Sequence, residues 1–248
     1  MDKYRKMLTE NLGINLHYYE EVDSTNNVAK KIEKWHHGQI IVAKSQTAGR
    51  GTYGRNFYSK KGCGIYMTII LDTKKWHFKH ETLATHLAAV AATEAIAEIT
   101  QKSPQIKWVN DLFYNRKKIG GILTEKVYQS SKLIIGIGIN LSQKQQEFPE
   151  AIQNTAASLQ LNPPIDNQAA AIIVRLYDLI LQPNQLSDRE VLKEYKNKLF
   201  MLGQQVYITR QNKELKVEII DVDEAGRLIV LHANEKMILE TGEVRIKV

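Results

Sequence analysis

Short apolar runs, each bounded by polar or turn-forming residues, predict the strands of a sheet. His17–Val22, Gln39–Lys44 and Gly64–Leu71 are the first three such runs. Residues 105–140 then read as successive strands joined by short turns, one of them at Asn115-Arg116. Strands joined by tight turns run antiparallel. The pattern therefore predicts a mixed, largely antiparallel central sheet rather than a doubly wound dinucleotide-binding one.

Apolar residues at helical spacing predict helices between and after these strands. The longest covers Glu81–Thr100, and its core-facing stripe is predicted to be Leu83, Leu87, Val90, Ala91 and Ile99. Asp166 is predicted to cap a helix that runs through Gln182, and another follows over 188–199. The histidines near the long helix complete no metal-binding set and are expected at the surface; they are His77, His80 and His86.

The pattern changes at Gly203, beyond which five short β-like runs follow one another. Turn residues separate these runs at Gln211-Asn212, Glu224–Gly226, Asn234 and Gly242. About five strands in so short a stretch are typical of a small SH3-like or OB-like barrel. The chain is therefore predicted to be an α+β protein, with a catalytic domain over residues 1–201 and an SH3-like β-barrel over residues 202–248.

Charge is spread unevenly between these two parts. The chain of 248 residues has a formal net charge of +7, but residues 202–248 hold seven Lys/Arg and eight Asp/Glu. The positive excess thus belongs to the first 201 residues and suits an anionic ligand or an acidic partner. The single cysteine, Cys63, excludes an internal disulfide and a cysteine-based zinc cluster. No signal peptide and no apolar run long enough to cross a membrane is found, so a cytoplasmic protein is expected.

The most basic stretch is Lys44–Lys61, which contains five Lys/Arg and no acid. Glycines at 49, 51 and 54 argue against a regular helix or strand through Thr47–Asn56. Glycine lets backbone amides turn toward a ligand, and arginine offers a planar fork of donors for carboxylate or phosphate oxygens. Two interpretations remain open on this evidence: a solvated basic turn, or a loop that binds and covers an anion.

Two further groups invite both a structural and a functional interpretation. Ser24, Thr25 and Asn26 precede a short helical stripe, so they are either a helix cap or a polar ligand site. Lys107 and Lys118 lie in or beside apolar strands, where a lysine needs an anionic partner. Asp111 is the nearest candidate for either lysine, and the pair is either structural or catalytic.

Four motifs, in this order, make the chain resemble the biotin–protein ligase family. They are DSTN, QTAGRGTYGR, KWVNDLFYNRKKIGGIL and GIGIN, and the resemblance extends from about Val22 to the C-terminus. It implies a fold like that of class II synthetases and biotin ligases. It also implies a reaction in which biotin and Mg-ATP form biotinoyl-5′-adenylate, which then acylates a lysine of a biotin carboxyl carrier protein or domain.

The resemblance also implies roles for individual residues. Catalysis is expected from Lys118, Arg50 and Asp111. The expected biotin contacts are Ser24, Thr25, Asn26, Gln46, Arg50, Gly51, Thr52, Lys118, Gly121 and Gly136. The expected nucleotide contacts are Arg50, Arg55, Phe57, Lys107, Asn110 and Asn140. Asp111 is expected to orient Lys118 or to receive the proton of the incoming lysine, and no metal ligand is expected from the protein.

The chain departs from the family pattern in ways that bear on function. Thr52 stands where the family loop, GRGRxGR, has a second arginine that helps to retain the adenylate. Either the intermediate is held more loosely, or Arg55 or Lys60 supplies the contact, which is the interpretation we favour. Val109 replaces the proline common in KWPND. About fifteen residues precede the first strand, too few for a winged helix–turn–helix, so a monofunctional ligase without DNA binding is expected.

Two rival functions can be separated from a biotin ligase by experiment. A lipoate–protein ligase would share the fold and the adenylation chemistry, but GRGTYGR together with KWVND favours biotin. A nucleic-acid-binding module would show steeply salt-dependent binding, yet the acidic balance of residues 202–248 counts against it. The sequence leaves the oligomeric state open, with a homodimer as one expectation, and it does not identify the acceptor carboxylase.

Overall fold

The structure is a computed structural model and describes residues 3–182, 186–210, 213–240 and 244–245. The described helices are α1 (Lys3–Leu12), α2 (Thr25–Lys31), α3 (Leu83–Thr100), α4 (Ile165–Leu181) and α5 (Asp188–Lys198). The strands of the first sheet are β1 (Leu16–Val22), β2 (Gln39–Gln46), β3 (Gly64–Asp72), β4 (Gln105–Lys107), β5 (Asp111–Tyr114), β6 (Lys117–Lys126) and β7 (Lys132–Asn140). Those of the second are β8 (Gln205–Arg210), β9 (Lys213–Val222), β10 (Leu228–His232), β11 (Glu235–Leu239) and β12 (Val244–Arg245).

The first sheet is mixed, with strand order β1-β2-β3-β7-β6-β5-β4. β1 and β2 are parallel, and each other neighbouring pair is antiparallel. Asn115 and Arg116 join β5 to β6 with φ values of 49° and 62°. Two left-handed residues in a row give the twist that a two-residue hairpin turn needs. The predicted mixed, largely antiparallel sheet and its tight turn are thus confirmed.

The helices lie on opposite faces of this sheet. One face carries Met67, Ile69 and Ile135, which belong to the main hydrophobic core together with residues of α1, α3, α4 and α5. The other face carries Ile41, Ile70 and Ile134, which pack against Ala29 of α2. These two sets alternate along the same strands, as side chains of a strand must. Because α2 is only one short helix, it covers part of its face and leaves room beside it for a polar cleft.

The second sheet is antiparallel, with strand order β11-β10-β9-β8-β12. Its apolar residues, among them Val206, Ile219 and Val230, join the main core. In the turn between β9 and β10, the Gly226 carbonyl accepts a hydrogen bond of 3.0 Å from Trp108 Nε1. The second sheet therefore packs against Trp108, and Trp108 lies two residues before Asn110 in the chain.

Two predictions about the long helix were wrong. His86 was expected at the surface, but it is 1% exposed and its Nε2 lies 3.0 Å from the Gly226 carbonyl. The second sheet covers this histidine, which the periodicity of α3 alone does not show, and burial lowers the pKa of its imidazole. Ile99 was placed in the apolar stripe but is 37% exposed, whereas Ile96 is buried.

The start of α4 differs from the prediction, and only some of the turns predicted after Gly203 lie within the described residues. The helix begins at Ile165, after Pro164, so Asp166 is not the cap. Instead its carboxylate lies 3.0 Å from Lys44 Nζ. The turn at Asn234 and the one at Glu224–Gly226 are confirmed. The turns predicted at Gln211-Asn212 and Gly242 lie outside the described residues.

Candidate active site

A cleft opens on the sheet face that carries α2. Segments far apart in the sequence form it: the start of α2, the loop after β2, the β5–β6 hairpin and the middle of β7. The cleft gathers most of the residues expected from the resemblance, namely Ser24, Thr25, Asn26, Gln46, Arg50, Gly51, Thr52, Phe57, Asn110, Asp111, Lys118, Gly121 and Gly136.

Two glycines of β7 make the floor of the cleft. A Cβ at Gly136 would collide with the Asn26 carboxamide, and one at Gly138 would lie 2.6 Å from the ring of Phe57. In both cases the Cβ would lie far closer to its neighbour than an ordinary van der Waals contact, so a side chain at either position would displace that neighbour. Gly121 differs, because a Cβ there would meet its nearest atom, Asp111 Oδ1, at 3.4 Å. The GIGIN motif thus brings strand backbone close to Asn26 and Phe57.

Asn26 lies at the centre of a buried hydrogen-bond network. Its side chain is 3% exposed, and its Nδ2 donates to the Leu123 carbonyl at 3.2 Å and to Glu125 Oε2 at 2.9 Å. Two acceptors on one side fix the orientation of the amide. Oδ1 accepts from the Thr68 hydroxyl at 2.7 Å. Thr68 has a single hydrogen to donate, which leaves it as the acceptor in its 2.8 Å contact with the Thr25 hydroxyl.

Gln46 connects the start of α2 to the loop that follows β2. Its Oε1 accepts from the Thr25 backbone amide at 2.9 Å, and its Nε2 donates to Ser59 Oγ at 2.8 Å. The Thr25 amide is therefore paired within the chain. Ser24 was considered as a helix cap, and it occupies the N-cap position but makes no side-chain capping bond. Ser24 instead lines the cleft.

Lys118 and Asp111 form an ion pair across the β5–β6 hairpin, with 2.5 Å between Nζ and Oδ1. Both side chains are partly exposed and both line the cleft, so a ligand can reach them. Asn110 fixes the chain just before this pair, because its Nδ2 donates to the Ile122 carbonyl at 2.7 Å. Of the two lysines for which Asp111 was the candidate partner, the structure pairs Lys118 with it.

The loop after β2 lies over the opposite side of the cleft. Thr52–Gly54 form a single 3₁₀ turn in which Tyr53 has a φ of 57° and is 70% exposed. Arg50 leaves this loop toward the sheet, where its NH2 lies 3.2 Å from Glu125 Oε1 and its NH1 donates to Asn27 Oδ1 at 3.2 Å. The basic loop thus reaches the cleft through Arg50, and the arginine meets an acid of β6 there.

Three predicted site residues do not line the cleft. Arg55 Nε donates to the Thr52 carbonyl at 3.3 Å within the loop. Lys107 is the last residue of β4, and its Nζ lies 5.9 Å from the centre of the Phe113 ring. Asn140 is buried, and its Nδ2 donates to the Ala157 carbonyl at 3.0 Å. Lys60, the other residue considered as a replacement for the missing loop arginine, pairs with Glu147 at 2.6 Å.

The sequence interpretation missed several residues of the site. Ile122, Leu123, Ile137 and Gly138 line the cleft, and Thr68 and Glu125 hold its lining residues in place. Thr68 could have been found as the lone polar residue within an apolar strand. Glu125 could have been found because it lies four residues after Gly121 along β6, an even spacing that puts both residues on the same face of the sheet.

The sequence model of the biotin/lipoate A/B protein ligase family matches residues 18–142, which is half of the chain and contains the motif segments of the cleft. The chain belongs to this family. Its cleft is therefore the site in which to look for the chemistry that biotin and lipoate ligases share.

Individual relatives within the family agree with this assignment. The chain is 38% identical over 156 residues to the bifunctional ligase/repressor BirA of Bacillus subtilis, which covers 61% of this chain and 48% of that protein. It is 23% identical over 212 residues to the biotin–[acetyl-CoA-carboxylase] ligase of Mycobacterium tuberculosis, covering 84% and 78% of the two chains. The chain thus spans about half the length of the first of these curated relatives.

A solved structure of the family extends the likeness to nearly the whole chain. The biotin protein ligase of Aquifex aeolicus in complex with biotin and ATP superposes with a TM-score of 0.81 at 27% identity, covering 94% of this chain and 100% of that one. The mixed α+β fold with its additional C-terminal sheet is therefore the fold of a biotin protein ligase.

Two further observations describe this family member outside the cleft. A second cavity lies beyond the β5–β6 hairpin, and Lys102, Tyr114, Lys117 and Gln160 are among its lining residues. In the described parts of the chain, no helix could span a membrane, and no three or more His, Cys, Asp or Glu side chains are grouped so that they could hold a metal ion.

Proposed function

We propose that this chain is a biotin–protein ligase. It activates biotin with ATP to give biotinoyl-5′-AMP and transfers the biotinoyl group to a lysine of a biotin carboxyl carrier domain. The observation that carries the proposal is the gathering of four separated motif segments around one cleft, with a lysine and an arginine among the residues that line it. The similar Aquifex aeolicus enzyme, which was solved with biotin and ATP, supports it.

The buried wall of the cleft suits the ring system of biotin. A ureido ring offers two N–H donors and one carbonyl acceptor, and Ser24, Thr25, Asn26 and Gln46 present both kinds of group there. Leu123 supplies apolar surface beside them. We assign ring recognition to these residues, because a polar site whose groups are already oriented discriminates strongly between ligands.

Activation requires two anions to meet. An oxygen of the biotin carboxylate attacks the α-phosphorus of ATP, a carboxyl–phosphate bond forms, and pyrophosphate leaves. We assign the neutralisation of the carboxylate and the α-phosphate to Lys118 and Arg50, with the backbone of Gly51 beside them. Cationic donors that are fixed before the reaction stabilise charge at the reacting centre most effectively in a site sheltered from water.

Transfer then breaks the mixed anhydride. The amine of the carrier lysine attacks the acyl carbon, an amide forms, AMP leaves, and the amine loses a proton. Asp111 is the carboxylate nearest to Lys118 in the cleft. We assign it the acceptance of this proton, or the orientation of Lys118 during the first step.

The nucleotide enters as Mg-ATP in this proposal. Phe57 presents an aromatic ring in the cleft on which adenine can stack, and Asn110 also lines the cleft. Mg²⁺ commonly binds through substrate phosphates, water and one or two carboxylates. Asp111 is the one carboxylate among the described residues that line the cleft, which fits an ion that arrives with the nucleotide rather than one held by a protein cage.

Finer features of the molecule are proposed on the same basis. We propose that the sheet of residues 202–248 closes into an SH3-like barrel and forms a domain separate from the catalytic residues 1–201. A homodimer built along the first sheet and a cytoplasmic location, where ATP and carrier domains are present, complete the proposal. DNA binding is not part of it.

The test is transfer of labelled biotin to a purified carrier domain in the presence of ATP and magnesium. We expect stoichiometric labelling of one lysine, together with pyrophosphate release that requires biotin. Lipoic acid in place of biotin separates the two activities of the family: release driven by lipoate and not by biotin would refute the proposal in favour of a lipoate ligase.

A further inference from the structure

Arg50 is already paired with an acid that belongs neither to its own loop nor to a substrate. Its NH2 lies 3.2 Å from Glu125 Oε1, and its NH1 donates to Glu125 Oε2 at 3.3 Å. Both terminal nitrogens of the guanidinium therefore face one carboxylate, which is the two-pronged arrangement that arginine makes with carboxylates and phosphates. NH1 also donates to Asn27 Oδ1 at 3.2 Å.

Glu125 is held by the wall of the cleft and is not a surface acid that Arg50 meets by chance. Its side chain is only 20% exposed. It accepts a hydrogen bond from Asn26 Nδ2 at 2.9 Å and pairs with Lys30 Nζ at 2.7 Å. Burial by itself raises the pKa of this carboxyl, but the bonds from Lys30 and Asn26 and the charges of Lys30 and Arg50 outweigh that effect and leave the pKa below its ordinary value. Glu125 is therefore an anion at neutral pH.

An incoming anion must compete for the same donors. A carboxylate or phosphate that binds Arg50 uses the planar fork now directed at Glu125. Lys30 and Asn26 remain on Glu125 when Arg50 departs, so the buried carboxylate keeps two partners. The exchange thus leaves no unpaired buried charge, which would otherwise make it prohibitive.

We propose that Glu125 is the internal counter-anion of Arg50: it holds the loop arginine at the edge of the cleft, and an anionic reactant binds by taking over the guanidinium. The inference rests on the proposed function, which identifies that reactant as the biotin carboxylate and the α-phosphate. Glu125 acts through Arg50 and Asn26, and it is a positioning residue. It sets how strongly the basic loop responds to the charge of a ligand.

Glu125→Gln tests the competition, because glutamine keeps an acceptor for Asn26 and removes the charge. We expect the affinity for biotin to rise about two- to fivefold, the range expected for a partly exposed ion pair. The affinity for biotin amide, which lacks the carboxylate, should stay unchanged. The matched control is Glu98→Gln, which breaks the Arg175–Glu98 pair of 2.6 Å on the helical side of the molecule and should alter neither affinity.

A double-mutant cycle with Arg50→Ala distinguishes competition from two other effects of the same substitution. In the Arg50→Ala background, Glu125→Gln should no longer change biotin affinity. If biotin affinity still rises there, the loss of the negative charge acts through the overall electrostatic field of the protein rather than through Arg50, and the inference is wrong. Equal weakening of biotin and of biotin amide would also overturn it, since Glu125 would then act by orienting Asn26 alone.

A measurement without added ligand tests the pair independently of biotin. Amide hydrogen exchange over residues 49–55 should be faster in Glu125→Gln than in the wild type. Exchange in Arg50→Ala should be as fast as in Glu125→Gln. Unchanged exchange in Glu125→Gln would refute the inference whatever the substrate is. A wild-type chain that fails to bind biotin would refute the proposed function instead.

Discussion

The two sides of the cleft are built in opposite ways. The sheet wall, which we define as Ser24–Asn26 and Gln46 with Gly121, Gly136 and Gly138, rests on buried strands, and Thr25, Asn26 and Gln46 are hydrogen-bonded to each other or to neighbouring side chains. The loop wall, residues 50–57, contains exposed positions such as Tyr53, and its cation Arg50 bonds to an acid across the cleft. One side has its hydrogen bonds fixed in advance, and the other holds an ion pair that a ligand can exchange.

This difference divides the work of the proposed reaction. Buried polar groups that are held in one orientation recognise one ligand shape, because a mismatched ligand leaves their remaining hydrogen-bonding positions unsatisfied. Exposed charged side chains interact with the charge of the bound ligand, and the loop that carries them can cover a reactive intermediate. Changes in the sheet wall should therefore shift biotin affinity, and changes in the loop wall should shift formation and retention of the adenylate. Lys118 lies between the walls and should affect the chemical step most.

The largest effect is expected from Lys118→Ala. Removing the cation of the Lys118–Asp111 pair should slow biotin-dependent pyrophosphate release about 10³-fold, the loss typical for one preorganised charge-stabilising donor. Lys117→Ala is the matched control, since Lys117 is the preceding residue of β6 and lines the second cavity instead. A near-normal rate in Lys118→Ala, or an equal loss in both variants, would remove Lys118 from the chemistry.

Gly136→Ala should damage the sheet wall specifically. The added Cβ collides with the Asn26 carboxamide, so we expect biotin affinity to fall and the free energy of unfolding to drop by about 1–3 kcal/mol. Calorimetric titration and thermal unfolding measure the two effects. Gly121→Ala is the control, because its Cβ has 3.4 Å to the nearest atom and should disturb both quantities less. Equal effects of the two variants would contradict the role given to close packing at Gly136.

Arg50→Ala should act on the loop wall. Loss of a charge-assisted contact to the adenylate is expected to speed its escape from the enzyme about tenfold or more. Quenched single-turnover experiments that separate bound from released adenylate measure this. Arg55→Ala is the comparison, because Arg55 bonds within the loop and does not line the cleft. If Arg55→Ala matches Arg50→Ala, Arg55 supplies the contact of the arginine absent at position 52.

Thr52→Arg should have the smallest effect and the opposite sign. Restoring the arginine of the family loop adds a cation to the lining of the cleft, so the adenylate should escape about two- to fivefold more slowly. Diffuse labelling of a bystander protein, measured with purified enzyme, reports the escaped intermediate. Increased bystander labelling would show that position 52 does not contribute to retention.

The strands and most of the lining residues could be predicted from local sequence signals. The apolar runs, the Asn115-Arg116 turn and the glycine-containing motifs are each encoded within a few residues. The motif order then placed Ser24–Asn26, Arg50, Asp111 and Lys118 in one site, and the cleft contains them. Their individual roles stay predictions until the variants above are measured.

What the sequence did not reveal depends on contacts between distant segments. His86 is buried because Gly226, 140 residues later, packs against it. Glu125 carries no local signal that it meets Arg50, 75 residues earlier. In the sequence Asp166 resembles a helix cap, yet its carboxylate pairs with Lys44, which lies 122 residues earlier in the chain. Periodicity identifies an element and its apolar face but not the residue that will face each polar side chain.

The most direct test of the two-walled site is a crystal structure of the chain with biotin and ATP. We predict density for the ureido ring against Asn26 and Gln46 on the sheet wall. The carboxylate and α-phosphate should lie between Lys118 and Arg50, with adenine on Phe57. Ligand density in the second cavity near Lys117, with the cleft between Arg50 and Lys118 lacking it, would contradict the site proposed for this family member.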